Sequence, residues 1–185
     1  MIIVISAPSG TGKTTICRKL LEEFPDMGFS VSYTTRKPRE GEIEKGEYRF
    51  VSITDFQRMI EEDEFVEWVK IFGDYYGTPR KALEEAKNCD LLLDIDVVGG
   101  KRIKALYPQS LLIFLVPPSM EELSRRLRMR KTEGEEKIEE RLSKASFEIK
   151  EGKGYDYVVV NETPEKTISL IKEIILKKKE EKDAI

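Results

Sequence analysis

The stretch Ala7-Pro8-Ser9-Gly10-Thr11-Gly12-Lys13-Thr14 constrains this 185-residue chain more than any other feature. It follows a short apolar, β-branched run, Ile2 to Ile5, and it opens Thr14 to Phe24, where apolar residues recur at helical spacing. The expected arrangement is buried strand, glycine loop, helix, the setting a phosphate-binding loop requires, although Ala7 stands where the pattern has its first glycine. Gly10 and Gly12 let the backbone turn its N–H groups toward a polyphosphate. The helix N-terminus adds positive potential there, and Lys13 adds a mobile cation. Thr14 supplies a hydroxyl suited to Mg²⁺, which takes hard oxygen donors together with phosphate oxygens. The plain alternative, a glycine-rich turn beside a surface lysine, leaves the agreement of both flanking elements unexplained.

Leu91 to Leu93, Leu111 to Val116 and Tyr157 to Val160 are three further apolar runs, separated by helical patterns. Helices are predicted over Met120 to Arg130, Glu135 to Glu151 and Glu165 to Lys179, and the alternation predicts a parallel sheet covered by helices. From about Ser30 to Lys81 the chain becomes rich in Thr and Tyr and is broken by Pro38, Gly41, Gly46, Gly73 and Gly77. With one helical patch at Asp55 to Glu62, this predicts a small, mostly β lobe inserted in the core. Asp94 ends the run Leu91-Leu92-Leu93, so its carboxylate is expected at the C-terminal edge of a strand, where a magnesium and water network is a natural task. Asp96 lies two residues on; it either shares that side of the strand or caps the next helix. The tract Lys177 to Lys182 reads as a frayed, solvated helix end.

Composition narrows the chemistry. The chain has no histidine, which excludes a Ser-His-Asp triad and any histidine-ligated metal centre. Cys17 and Cys89 form no CxxC, so neither a disulfide framework nor a zinc knuckle is indicated, and a reducing cytoplasm fits. With 32 basic and 35 acidic residues the net charge is −3, which argues against a general nucleic-acid partner. No apolar run approaches a membrane span and no signal-peptide pattern opens the chain, so a cytoplasmic protein without a membrane partner is expected.

The segment from Ser32 through Thr35, Arg36, Pro38, Arg39 and Gly41 to Glu42 is too rich in Pro and Gly for a helix, and it sets two guanidiniums where they can grip one phosphate dianion. Joined to Glu47-Tyr48-Arg49-Phe50-Val51, Glu67-Trp68, Asp74-Tyr75-Tyr76-Gly77-Thr78, Leu93-Asp94-Ile95-Asp96, Pro117-Pro118-Ser119 and Val159-Val160-Asn161, it resembles the guanylate kinase family over nearly the whole chain. Departures from the family's usual pattern are Glu47, Val98, Lys131 and Glu162.

The resemblance implies an α/β P-loop kinase: a core (1–31, 82–119, 146–185) with a parallel five-stranded sheet flanked by helices, an inserted mixed β/α lobe for a nucleoside monophosphate (32–81), and a helical lid (120–145). It implies transfer of the γ-phosphoryl group of ATP to GMP, and to dGMP, with Mg²⁺, in purine nucleotide metabolism, by a monomer or weak homo-oligomer. Ala7, Pro8, Ser9, Gly10, Thr11, Gly12, Lys13, Thr14, Thr15, Arg126, Arg130 and Asn161 would hold ATP, and Thr14 and Asp94 the metal, the latter directly or through water. Ser32, Arg36, Arg39, Glu42, Tyr48, Glu67, Tyr76, Thr78, Asp94 and Asp96 would hold GMP. Lys13, Arg36, Asp94, Arg126, Arg130 and Arg141 would act in the transfer.

Elementary chemistry agrees with this division. Guanine offers N1–H and 2-amino donors along one edge, which a carboxylate such as Glu67 accepts in pairs, whereas adenine leaves it unpaired. Arg126 and Arg130 are four apart on one helix, while Arg125 and Arg128 fall on other faces and are expected to meet solvent or glutamates. For Tyr48, Tyr75 and Tyr76 aromatic packing is the alternative to ligand contact. A catalytically inactive peptide-binding module of the same family would not need Gly12, Lys13, Thr14, Asp94 and the later arginines together. A different phosphorylated acceptor would not explain Glu67 and the segment Tyr75 to Thr78.

Overall fold

The computed structural model describes residues 1–38, 46, 48–86, 89–129 and 134–184; Arg39, Glu42, Glu47, Arg130 and Lys131 lie outside them. The apolar run at the N-terminus is β1 (Ile2–Ser6), and the three later runs are β7 (Leu91–Asp94), β8 (Leu111–Val116) and β9 (Tyr157–Val160). A fifth strand, β2 (Gly28–Ser30), begins on glycine and has no apolar run to announce it; its parallel register beside β7, Ser30 opposite Leu93, defines it. The five make a parallel sheet in the order β2-β7-β1-β8-β9. Leu92, Leu93, Ile113 and Phe114 are wholly buried, as expected of strands covered on both faces.

The described residues hold seven helices: α1 (Lys13–Glu23), α2 (Ile53–Glu61), α3 (Arg80–Glu85), α4 (Val97–Leu106), α5 (Met120–Met129), α6 (Glu135–Gly152) and α7 (Pro164–Asp183). The last of these is longer than the sequence pattern suggests. Thr163 caps its start, accepting from Lys166 N, Pro164 occupies its first turn, and the lysine tract, exposed at Lys177 and Lys182, continues it to Asp183. The Lys179 ammonium lies 5.7 Å from the centre of the Phe24 ring, which gives one lysine of the tract a packing partner. No helix among the described residues is long and apolar enough to cross a membrane.

Two compact units divide the chain, Met1–Val4 with Asp26–Ser110, and Ile5–Pro25 with Leu111–Ile185. The first contains a second sheet, of order β4-β3-β6-β5, built from β3 (Ser32–Thr34), β4 (Tyr48–Phe50), β5 (Phe65–Ile71) and β6 (Asp74–Pro79). β5 and β6 are joined by Phe72-Gly73, both at positive φ (51° and 90°), the backbone a two-residue type I′ hairpin needs. Helix α2 covers one face of this sheet: Phe56 stacks on Phe65 at 4.5 Å and on Tyr75 at 5.3 Å, and Met59, Tyr33, Val51 and Ile60 complete the cluster.

In the second unit α5 packs on α6 through Leu123, Leu127, Ile138 and Ala145. Arg125 and Arg128 meet glutamates as expected, Glu122 at 2.8 Å and Glu135 at 3.0 Å.

Candidate active site

The phosphate loop lies in the second unit. Thr11 N donates to Pro8 O at 3.1 Å, closing a turn whose third residue, Gly10, sits at φ +93°, a backbone open to glycine. A side chain at that position would also run into Leu127 and Leu123 of α5, 2.9 and 3.1 Å from the Cβ it would carry. Gly12, at φ +100°, is the residue that enters α1. The first turn of α1 contains no acidic residue and begins with half-buried Lys13, the reverse of what stabilises an isolated helix. Local propensity yields there to an expected anion. The Thr14 and Thr15 side chains next along are exposed.

Three side chains from distant sequence meet the loop. Arg141 of α6 donates through Nη1 to Ser9 Oγ at 2.5 Å. Arg126 of α5 approaches the Thr11 carbonyl at 3.4 Å while its Nε donates to Glu122 at 2.7 Å. Hydrogen bonds from Arg125 and then from Arg126 hold the Glu122 carboxyl far below its usual range, at about 2. Asn161, only 4% exposed, donates through Nδ2 to the same Thr11 carbonyl at 2.6 Å. The resemblance gives Asn161 to the donor nucleotide; its side chain touches the backbone of the loop.

A second convergence lies in the first unit, on the sheet face that α2 leaves uncovered. In an unbroken strand Phe65 and Glu67 would share a face. The register shifts between them, so that Phe65 opposes Pro79 and Glu67 opposes Thr78, with Val66 as the extra residue of a bulge. Phe65 therefore joins the α2 cluster while Glu67 turns to the other face. There Thr78 Oγ1 donates to Glu67 Oε1 at 2.5 Å, both residues being buried. Ser32, Tyr48 and Tyr76 share that face by register, and Tyr48 meets Tyr76 edge-on at 6.2 Å.

Tyr75 packs on Phe56 and so takes the aromatic-packing reading, on the face opposite Tyr76. The Arg36 guanidinium stands over Tyr48 and Phe50, 5.1 and 5.5 Å from their ring centres. Arg49 is on the opposite face, over Tyr33 and bonded to its hydroxyl at 2.8 Å.

Asp94 ends β7 half-buried. Asp96 caps α4: Gly99 N donates to its Oδ1 at 2.7 Å. A Cβ added at Gly99 would lie 2.6 Å from Glu67 Oε2 and 3.2 Å from Asp96 Oδ1, so the two carboxylates crowd the first turn of α4 and glycine makes the room. The sequence reading passed over Gly99. Thr34 and Thr35, which the sequence offers only as hydroxyls beside Arg36, bond Tyr75 O and Tyr75 N at 2.9 Å each and pin the segment that carries Arg36. No cluster of three acidic or cysteine side chains suited to a metal occurs among the described residues, which leaves oxygen donors in ones and twos such as Thr14 and Asp94.

A phosphate loop between a buried parallel strand and a helix, with an inserted β lobe carrying its own polar face, defines the P-loop α/β class of nucleotide-phosphate proteins. Comparison with known proteins is more specific. The guanylate kinase family model matches residues 1–178. The chain is 44% identical to the guanylate kinase of Geobacter sulfurreducens, over 95% of this chain and 88% of that one, and 46% identical to that of Myxococcus xanthus, over 95% and 86%. The crystal structure of guanylate kinase from Anaplasma phagocytophilum superposes with a TM-score of 0.79 at 39% identity, covering 95% of this chain and 84% of that one. The chain belongs to the guanylate kinase family.

Proposed function

We propose that this chain transfers the γ-phosphoryl group of ATP to GMP, and to dGMP, giving ADP and GDP. The observation that carries the reading is buried Glu67, bonded by Thr78 and standing with Asp96 at Gly99, on a sheet face that also carries Tyr48 and Tyr76, with Arg36 over the Tyr48 ring. A buried carboxylate held by one hydroxyl suits the paired N–H donors of guanine, and a guanidinium with phenolic hydroxyls suits the monophosphate. Ser32 extends the base end, while Arg39 and Glu42 keep the roles the resemblance implies.

In the second unit, the backbone of residues 7–12, Lys13, Thr15 and the arginines 126, 130 and 141 take the triphosphate. Mg²⁺ bound with ATP neutralises phosphate charge, and Thr14 and Asp94 would hold it; an exposed hydroxyl and a half-buried carboxylate are the hard donors it accepts. Because the acceptor is already an anion at neutral pH, no general base is required, and a chain without histidine can do this chemistry. Lys13, Arg36, Arg126, Arg130 and Arg141 counter the charge of the two nucleotides in the transition state, and the segment 120–145 acts as the lid that keeps water from the donor. We place the reaction in the cytoplasm, in purine nucleotide metabolism, with the enzyme a monomer or weak homo-oligomer.

A coupled ADP-release assay with ATP and a panel of GMP, dGMP, AMP, UMP and CMP tests the reading. Turnover is expected with GMP and dGMP. Comparable turnover with AMP would refute guanine selection, and none with any acceptor would refute the enzyme.

A further inference from the structure

We infer that Thr167 and Asn161 form a buried brace that aims one N–H of the phosphate loop, a positioning role that depends on reading the loop as the site of the ATP phosphates. Asn161 N donates to Val116 O at 2.8 Å, which fixes its backbone to the end of β8. Its side chain is then held at both ends. Thr167 Oγ1, on a residue 2% exposed in the first turns of α7, pairs with Asn161 Oδ1 at 2.9 Å, and Asn161 Nδ2 reaches Thr11 O at 2.6 Å.

The direction of these bonds is not a matter of choice. A backbone carbonyl can only accept, so the amide nitrogen must face Thr11 and the amide oxygen must face Thr167, whose hydroxyl therefore donates. The close fit depends on Gly12, since a Cβ there would lie 2.9 Å from Asn161 Nδ2.

Thr11 C=O and Gly12 N–H belong to one peptide group, which is planar and trans. In such a group the two bonds point in opposite directions. Holding the carbonyl against Asn161 therefore holds the Gly12 N–H pointing away from it, and the left-handed φ of Gly12 lets the chain enter α1 from that orientation. Arg126, steadied by Glu122, supplies a second donor to the same oxygen at 3.4 Å. A phosphate oxygen gains from an N–H only if that N–H is aimed before the ligand arrives. In this scheme Thr167 touches no nucleotide and acts through Asn161 and Thr11.

Thr167→Val removes the hydroxyl and keeps the shape, whereas Thr167→Ser keeps the hydroxyl. Affinities for ATP, for inorganic tripolyphosphate, which has no base, and for GMP are measured by calorimetry. The valine variant is expected to weaken ATP and tripolyphosphate alike by about tenfold, as loss of one buried hydrogen bond suggests, with GMP unchanged and the serine variant close to the parent. Weakened ATP with unchanged tripolyphosphate would mean that Asn161 reads the adenine base, and it overturns the brace. Equal losses for ATP and GMP, or none, overturn it too.

If the valine variant does not fold, Asn161→Ala decides the same question. A brace costs affinity for both polyphosphates, while a base contact costs ATP alone. Parent protein that binds neither ATP nor tripolyphosphate would sink the reading of the loop itself, a result distinct from any behaviour of the variants.

Discussion

Replacing Gly99 by alanine separates two forces that act on the same atom position. In most helices this exchange is favourable by roughly 0.5 to 1 kcal/mol, because glycine is the more costly residue to order. Here the new methyl group would begin 2.6 Å from Glu67 Oε2 and 2.9 Å from its Cδ. Non-bonded heavy atoms rest at about 3.5 Å or more, so the carboxylate must retreat by nearly 1 Å. It cannot retreat freely, because Thr78 holds its other oxygen at 2.5 Å and Asp96 lies on the same side of the turn.

A carboxylate displaced by that distance loses the alignment with which it accepts two N–H donors from guanine. Hydrogen bonds to a charged group contribute about 1.5 to 3 kcal/mol each, so loss of one raises KM for GMP by about tenfold to a hundredfold. The assay is ADP release with GMP and ATP varied in turn, alongside a thermal melt. Expected is a large rise in KM for GMP, an unchanged KM for ATP, and a melting temperature that moves little, since helix propensity and crowding oppose each other. An unchanged KM for GMP, with the variant merely more stable, would refute the argument that the glycine exists to admit Glu67.

Lys13→Ala is expected to lower kcat by about a hundredfold or more with little loss of stability, since a cation at the start of α1 opposes the helix dipole until a polyphosphate is bound. Kinetics and a melt of the purified variant check this. Arg36→Ala should raise KM for GMP, whereas Arg49→Ala, which removes a group from the opposite face, should leave it unchanged; similar effects from both would contradict the two-faced lobe. Glu122→Gln removes a carboxylate held at about 2 in the folded chain against its ordinary 4.5. A depressed carboxylate stabilises the fold above its unfolded pKa and ceases to do so as pH falls through the folded one. Melts of parent and variant should therefore differ by a constant amount above 4.5 and converge as pH falls to about 2.

The readable parts of this protein are those whose meaning is local. The phosphate loop is eight consecutive residues between a buried strand and a helix, and Asp94 follows three leucines at a strand end; periodicity alone places both. The rest depends on residues brought together by the fold. Strict alternation would put Glu67 in the same cluster as Phe65, and only the bulge at Val66, visible once β5 is paired with β6, separates the carboxylate from the aromatic core. β2 is too short to declare itself and exists because β7 offers an edge.

Of its two sequence readings Asp96 takes the helix cap, and as cap of α4 it also stands near Glu67, because a cap must stand at a helix start and this helix starts beside the buried carboxylate. Gly99 and Thr167 carry no motif, and Thr35 belongs to one only as a neighbour of Arg36: what each does is set by its partner, Glu67, Asn161 or Tyr75, which the fold brings to it. A motif thus supplies the groups that meet a ligand, while the residues that aim them follow from packing. It is these aiming residues, changed without touching a nucleotide, that distinguish a preorganised site from a collection of suitable side chains.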